Sequence, residues 1–129
     1  MIYLDASVLL ARIFAKDRFP ADDVWQQDLV SSRLLRYEVW NRVNARGFAR
    51  SHGQDAEIFL GRVEIIDLAP EKLSRALEPF PRPVRTLDGL HLATIDFLRS
   101  QRQTVELLSY DQRMLAAARA MGIAVYEGR

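Results

Sequence analysis

Short apolar runs alternate along this chain with longer stretches of helical spacing. Ile2, Tyr3 and Leu4 have the β-branched and aromatic character of a short buried strand, which breaks at Asp5 and Ser7 before Val8 to Ala15 resume with helical spacing. Lys16 to Asp23, with Pro20, form a turn into a helix that includes Trp25 and Gln26. Residues 28–31 supply a very short second strand. Ser31 and Ser32 then precede Leu34, Leu35, Val39 and Val43, a stripe that predicts a long helix ending near Gly47 or in the turn Ser51-His52-Gly53. A helix over 54–62 leads into a third strand over 63–68. Pro70 and Glu71 open the next helix, where proline forfeits no hydrogen bond and the acid meets the positive end of the dipole.

Pro79, Pro81 and Pro83 hold residues 79–85 as an extended loop. After Thr86 the pattern predicts a helix from Leu87 to about Ser100, a fourth strand over 105–108, an alanine-rich helix over 112–121 closed by Gly122, and a fifth strand over 123–126. Helices alternating with short apolar strands give the fold class: α/β, a mostly parallel five-stranded sheet with helices on both faces. A chain of 129 residues that is 49% hydrophobic suits a single domain over 1–129 with a real core. The absence of cysteine excludes a disulfide framework and a thiolate metal site. With 18 basic and 17 acidic residues, net charge names no partner class, although a local basic patch can still border an acidic pocket. No basic leader with a long apolar run is present, and no apolar segment reaches about 18 residues, so the expectation is a soluble protein of the cytoplasm.

Four acids fall at comparable places in this layout. Asp5 follows the first strand, Glu38 lies early in the long helix, Asp88 opens the helix after the proline loop, and Asp111 follows the fourth strand. All four face the crevice beyond the carboxyl ends of the strands if strands one and four are neighbours. Each also has a plainer reading, Asp5, Asp88 and Asp111 as helix caps and Glu38 as a solvated helix residue. Crowded carboxylates repel and resist burial, so a site that keeps several ionised requires divalent cations. Oxygen-only ligands favour magnesium, with manganese as the alternative, over zinc. Such ions serve to orient and acidify a water and to stabilise charge on a phosphate in flight. Ser7 and Ser109 stand beside two of the acids as auxiliary groups. His91, on an apolar helix face, is read as structural, His52 as part of a surface turn, and Asp96 as a peripheral acid or salt-bridge partner.

The segments Ile-Tyr-Leu-Asp-Ala-Ser-Val-Leu, Ser-Ser-Arg-Leu-Leu-Arg-Tyr-Glu-Val, Thr-Leu-Asp-Gly-Leu-His-Leu-Ala-Thr and Leu-Leu-Ser-Tyr-Asp-Gln-Arg-Met-Leu resemble, in order and spacing, the four signatures of the PIN-domain ribonucleases. Within that family they are most similar to the VapC toxin group of type II toxin-antitoxin systems. The resemblance runs from residue 2 to Val125. It implies a three-layer sandwich with strand order 3-2-1-4-5, and metal-binding catalytic acids at Asp5, Glu38, Asp88 and Asp111, assisted by the Ser109 hydroxyl. It further implies a homodimer and a small cognate antitoxin protein that blocks the acidic groove.

With RNA as substrate, Arg82 and Arg85 on the proline-stiffened loop and Arg12 and Lys16 after the first motif become candidate contacts to the backbone, and Arg36 a contact to RNA or to an antitoxin carboxylate. Apolar side chains around Leu34, Leu35, Tyr37 and Trp40 are candidates for a dimer surface. Two rivals are open at this point. A haloacid dehalogenase-type phosphatase also begins with a strand and an Asp, but it requires a second Asp where this chain has Ser7. A catalytically silent RNA- or protein-binding domain would keep its function without Asp5.

Overall fold

The computed structural model describes residues 1–14 and 20–127. Five short strands, β1 (Ile2–Leu4), β2 (Leu29–Ser32), β3 (Glu64–Ile66), β4 (Glu106–Leu108) and β5 (Ala124–Val125), form one parallel sheet in the order β3-β2-β1-β4-β5. Parallel neighbours cannot be joined by hairpins, so each crossover runs through a helix that covers a face of the sheet. β1 is paired on both sides, Ile2 opposite Leu29 and Glu106, and Leu4 opposite Leu108. The strand period of two divides its side chains between two cores. Ile2 and Leu4 pack with Val8, Leu9 and Leu35, on the side covered by α1 (Ala6–Ile13), α2 (Leu34–Ala45) and α3 (Ala49–Leu60). Tyr3 points the other way, among Leu92, Ile95, Leu107 and Met114, on the side covered by α5 (Thr86–Ser100) and α6 (Gln112–Ala120). A short helix α4 (Pro70–Leu73) and a 3-10 turn over 74–77 pack against α5.

The α/β expectation and its strand order hold, and the differences lie in the helices. α3 begins at Ala49, so Ser51, His52 and Gly53 are helical rather than a turn. The reversal comes earlier, at Gly47, whose φ of +69° suits a residue without a side chain. Gly53 sits inside the helix because Trp40 of α2 lies against it. A Cβ there would stand 2.9 Å from Trp40 Cη2. His52 stacks on Phe48, with ring centroids 4.8 Å apart.

The apolar residues expected at a dimer surface are divided. Leu35 is fully buried, Trp40 packs half-buried with its Nε1 donating to Glu57 at 2.6 Å, and Tyr37 is 67% exposed. Arg36 pairs with the same Glu57 at 2.9 Å, which ties α2 to α3. Asp96 is the salt-bridge partner it was expected to be, between Arg75 and Arg99.

Candidate active site

The pairing of Leu4 with Leu108 brings the carboxyl ends of β1 and β4 side by side, and the acids that follow them arrive together. Asp5 takes an extended backbone, φ −99° and ψ 176°, and caps α1, its Oδ1 accepting the Ser7 N–H at 3.1 Å. Its carboxylate is 5% exposed and held by two hydroxyls. Ser7 Oγ donates to Oδ1 and Ser109 Oγ to Oδ2, each at 2.5 Å. Both serines also accept from the opposite segment or its turn. Ser7 takes the Tyr110 N–H at 2.9 Å, and Ser109 takes the Asp111 N–H at 3.0 Å. Asp111 in turn caps α6, with Oδ1 accepting from the Arg113 and Met114 amides at 3.0 and 3.3 Å. The cap roles and the meeting of acids are thus one arrangement.

Asp88 stands in the first turn of α5. Its Oδ2 is buried without a hydrogen-bond partner. His91 lies three residues on, hence on the same helix face. The ring is 1% exposed, with Nε2 2.6 Å from Glu38 Oε1 and Nδ1 2.7 Å from the Tyr3 hydroxyl. The structure therefore brings Asp5 and Asp111 together at the strand ends through Ser109, sets Asp88 within the field of Asp111, and ties Glu38 of α2 to His91 of α5.

Burial pushes the Asp5 carboxyl above the usual range, an effect opposed by the bonds from Ser109 and Ser7 and reinforced by the charge of Asp111. Asp88 is likewise pushed up, first by burial, then by Asp111, with a smaller push from Glu38. The charge of Asp111 thus bears on both Asp5 and Asp88, and that of Glu38 on Asp88. Among the described residues, no three His, Cys, Asp or Glu side chains form a group that could hold a metal ion as they stand. The donor chemistry nonetheless fits a hard divalent cation. All four ligating candidates are oxygen acids, their charges are mutually unfavourable, and Asp88 Oδ2 is an unpartnered buried acceptor.

Beside Glu38, a groove of about 540 Å³ is lined by Ser7, Leu10, Leu34, Tyr37, Glu38 and Leu87 among others. Arg82 and Arg85 are exposed on the loop leading into Asp88. Arg12 sits half-buried near the far end of α1, its guanidinium 5.1 Å from the centroid of the Phe59 ring, and Lys16 lies outside the described residues. Sequence reasoning missed His91 and Tyr3 as parts of the site. The spacing of His91 from Asp88 was the one available signal, because residues three apart share a helix face.

The PIN domain family matches residues 2–120. Ribonuclease VapC46 of Mycobacterium tuberculosis (strain ATCC 25618 / H37Rv) is 34% identical over 134 residues, spanning 96% of this chain and 95% of the relative. Ribonuclease VapC47 of Mycobacterium tuberculosis (strain CDC 1551 / Oshkosh) is 27% identical over 129 residues, spanning 95% and 93%. The crystal structure of Mycobacterium tuberculosis VapC20, described as a sarcin-ricin loop cleaving toxin, superposes with a TM-score of 0.68 over 91% of this chain and 95% of that one. At 20% identity that likeness shows the fold.

Proposed function

The chain belongs to the PIN-domain family, and on that premise we propose that it is a toxin endoribonuclease that hydrolyses RNA phosphodiester bonds with divalent metal ions and is inhibited by a cognate antitoxin protein. The observation that carries the reading is the buried, unpartnered Oδ2 of Asp88 in a cluster where burial, with the charge of Asp111 added to it, raises both Asp5 and Asp88. Such an arrangement is costly in isolation and becomes favourable around a cation.

Asp5, Asp88 and Asp111 would hold magnesium, or manganese in its place. Glu38 would hold the same ion, a second one or the attacking water. When bound, the metal supplies Lewis-acid polarisation of the phosphate and a more acidic water. Ser7 and Ser109 fix both oxygens of Asp5 in direction, so the carboxylate is oriented before any ligand arrives. Glu38 uses Oε1 on His91, which leaves Oε2 for the site. Arg82 and Arg85 would neutralise phosphates of the RNA backbone on the loop that delivers Asp88. Because water is the nucleophile, it attacks phosphorus directly and leaves a 5′-phosphate and a 3′-hydroxyl. Selection of RNA then rests on shape, sugar contacts and splayed bases. A basic tail on the antitoxin would exploit the negative field of the acids while keeping RNA out.

The test is cleavage of total RNA by purified protein in magnesium, manganese or chelator, with the product ends mapped and Asp5→Asn run alongside. Cleavage that needs the metal, is lost in Asp5→Asn and leaves 5′-phosphates supports the proposal. Cleavage undiminished in chelator, or cyclic-phosphate ends, overturns it. Function that survives Asp5→Asn points instead to a silent RNA- or protein-binding domain.

A further inference from the structure

The side chain that ties Glu38 to the core is His91, whose ring lies edge-on to Tyr3, centroids 5.6 Å apart and planes at 79°. An ionised carboxylate can only accept, so the 2.6 Å contact with Glu38 Oε1 requires a proton on Nε2. In the neutral ring Nδ1 is then an acceptor, and the Tyr3 hydroxyl, 2.7 Å away, must be the donor. That tautomer alone of the two neutral ones satisfies both contacts.

We propose that Tyr3 and His91 are positioning residues, a buried relay in which Tyr3 sets the His91 tautomer and His91 sets the direction of Glu38. The consequence for metal binding rests on the ribonuclease reading of the acids. A glutamate on a helix surface samples many rotamers and loses that freedom on meeting a ligand. Glu38 is instead fastened to a ring that is 1% exposed. The ring is fastened in turn to the central strand, which is paired on both sides. Partners that orient a ligating side chain in this way contribute to metal affinity without touching the ion. Tyr3 acts at one further remove, through the imidazole.

The experiment titrates the full chain with Mn2+ alone, read by electron paramagnetic resonance, in wild type and in Tyr3→Phe, His91→Leu and His91→Gln. Each substitution is also combined with Glu38→Gln. His91→Leu should weaken Mn2+ binding by about 10- to 100-fold and Tyr3→Phe by about 3- to 10-fold. His91→Gln, whose amide restores a donor near Nε2, should stay within about 3-fold of wild type. In the Glu38→Gln background none of the three should weaken binding further. Equal losses in both backgrounds would mean that the residues act through general packing, and would overturn the proposal. A nitrogen-15 spectrum of the imidazole without metal should show the Nε2–H tautomer in wild type and a changed pattern in Tyr3→Phe. An Nδ1–H tautomer in wild type overturns the relay. Wild-type protein that binds no Mn2+ overturns the metal reading instead, and the nitrogen spectrum then decides the relay by itself.

Discussion

Ser109→Ala removes a single oxygen that makes two bonds at the centre of the site. Ser109 Oγ donates to the buried Asp5 Oδ2 at 2.5 Å and accepts the Asp111 N–H at 3.0 Å. A hydrogen bond to a charged group contributes about 1.5–3 kcal/mol and a neutral one about 1 kcal/mol, so the loss should be about 2–4 kcal/mol. In a domain of this size that lowers Tm by roughly 3–6 °C for each kcal/mol. The pH dependence follows from the direction of the Asp5 shift. Burial raises the folded-state value above the unfolded one, so stability from this group is greatest below the unfolded pKa and declines as pH rises through the folded pKa. The Ser109 bond opposes that rise, and without it the folded value moves higher still. Between the two folded values the variant binds more protons than wild type, and its deficit therefore grows with pH. Urea unfolding in chelator at pH 5 and pH 8 measures this directly. A deficit below about 0.5 kcal/mol, or one that shrinks as pH rises, would refute the reasoning.

Asp88→Asn should reduce RNA cleavage by about 100-fold or more, while removing a repelled buried charge, so that in chelator its Tm is no lower than that of wild type. Magnesium at about 100 times its Kd should raise the stability of wild type by about 2.7 kcal/mol, and scanning calorimetry should find the gain largely absent in Asp88→Asn. Gly53→Ala should cost about 1–3 kcal/mol, read by urea unfolding, because the new Cβ falls 2.9 Å from Trp40 Cη2 and the Trp40 bond to Glu57 cannot survive the displacement. Sedimentation at micromolar concentration should show a homodimer, and a monomer throughout would exclude the paired state.

The sheet was legible because its strands are short, apolar and punctuated. Ile2–Leu4 and Glu106–Leu108 stop at Asp5 and Ser109, residues that favour turns and caps. Asp5, Asp88 and Asp111 stood out for the same reason, since each follows a strand or opens a helix. The start of α3 was not legible, because a glycine inside a helix costs only about 1 kcal/mol and the face of Trp40 outweighs that preference. Trp40 and Leu35 look like surface candidates on α2, but Trp40 lies against Gly53 and Glu57 of α3 and Leu35 joins the core, contacts that no local pattern records. His91 was read as structural and left outside the site, since its partner Glu38 is 53 residues away.

Asp5 and Ser109 are 104 residues apart, and the bond between them closes the site. β1 and β4 are far apart along the chain, so β1 has no β4 beside it until synthesis has passed residue 108. A nascent or truncated chain ending before β4 carries Asp5 and Glu38 without the serine bridge or Asp111. Pairing across such a separation is also a slow step for a small domain, because the loop must close before its contacts form. On the proposed reading, the acid cluster stays incomplete, and the site inert, until β4 has joined β1.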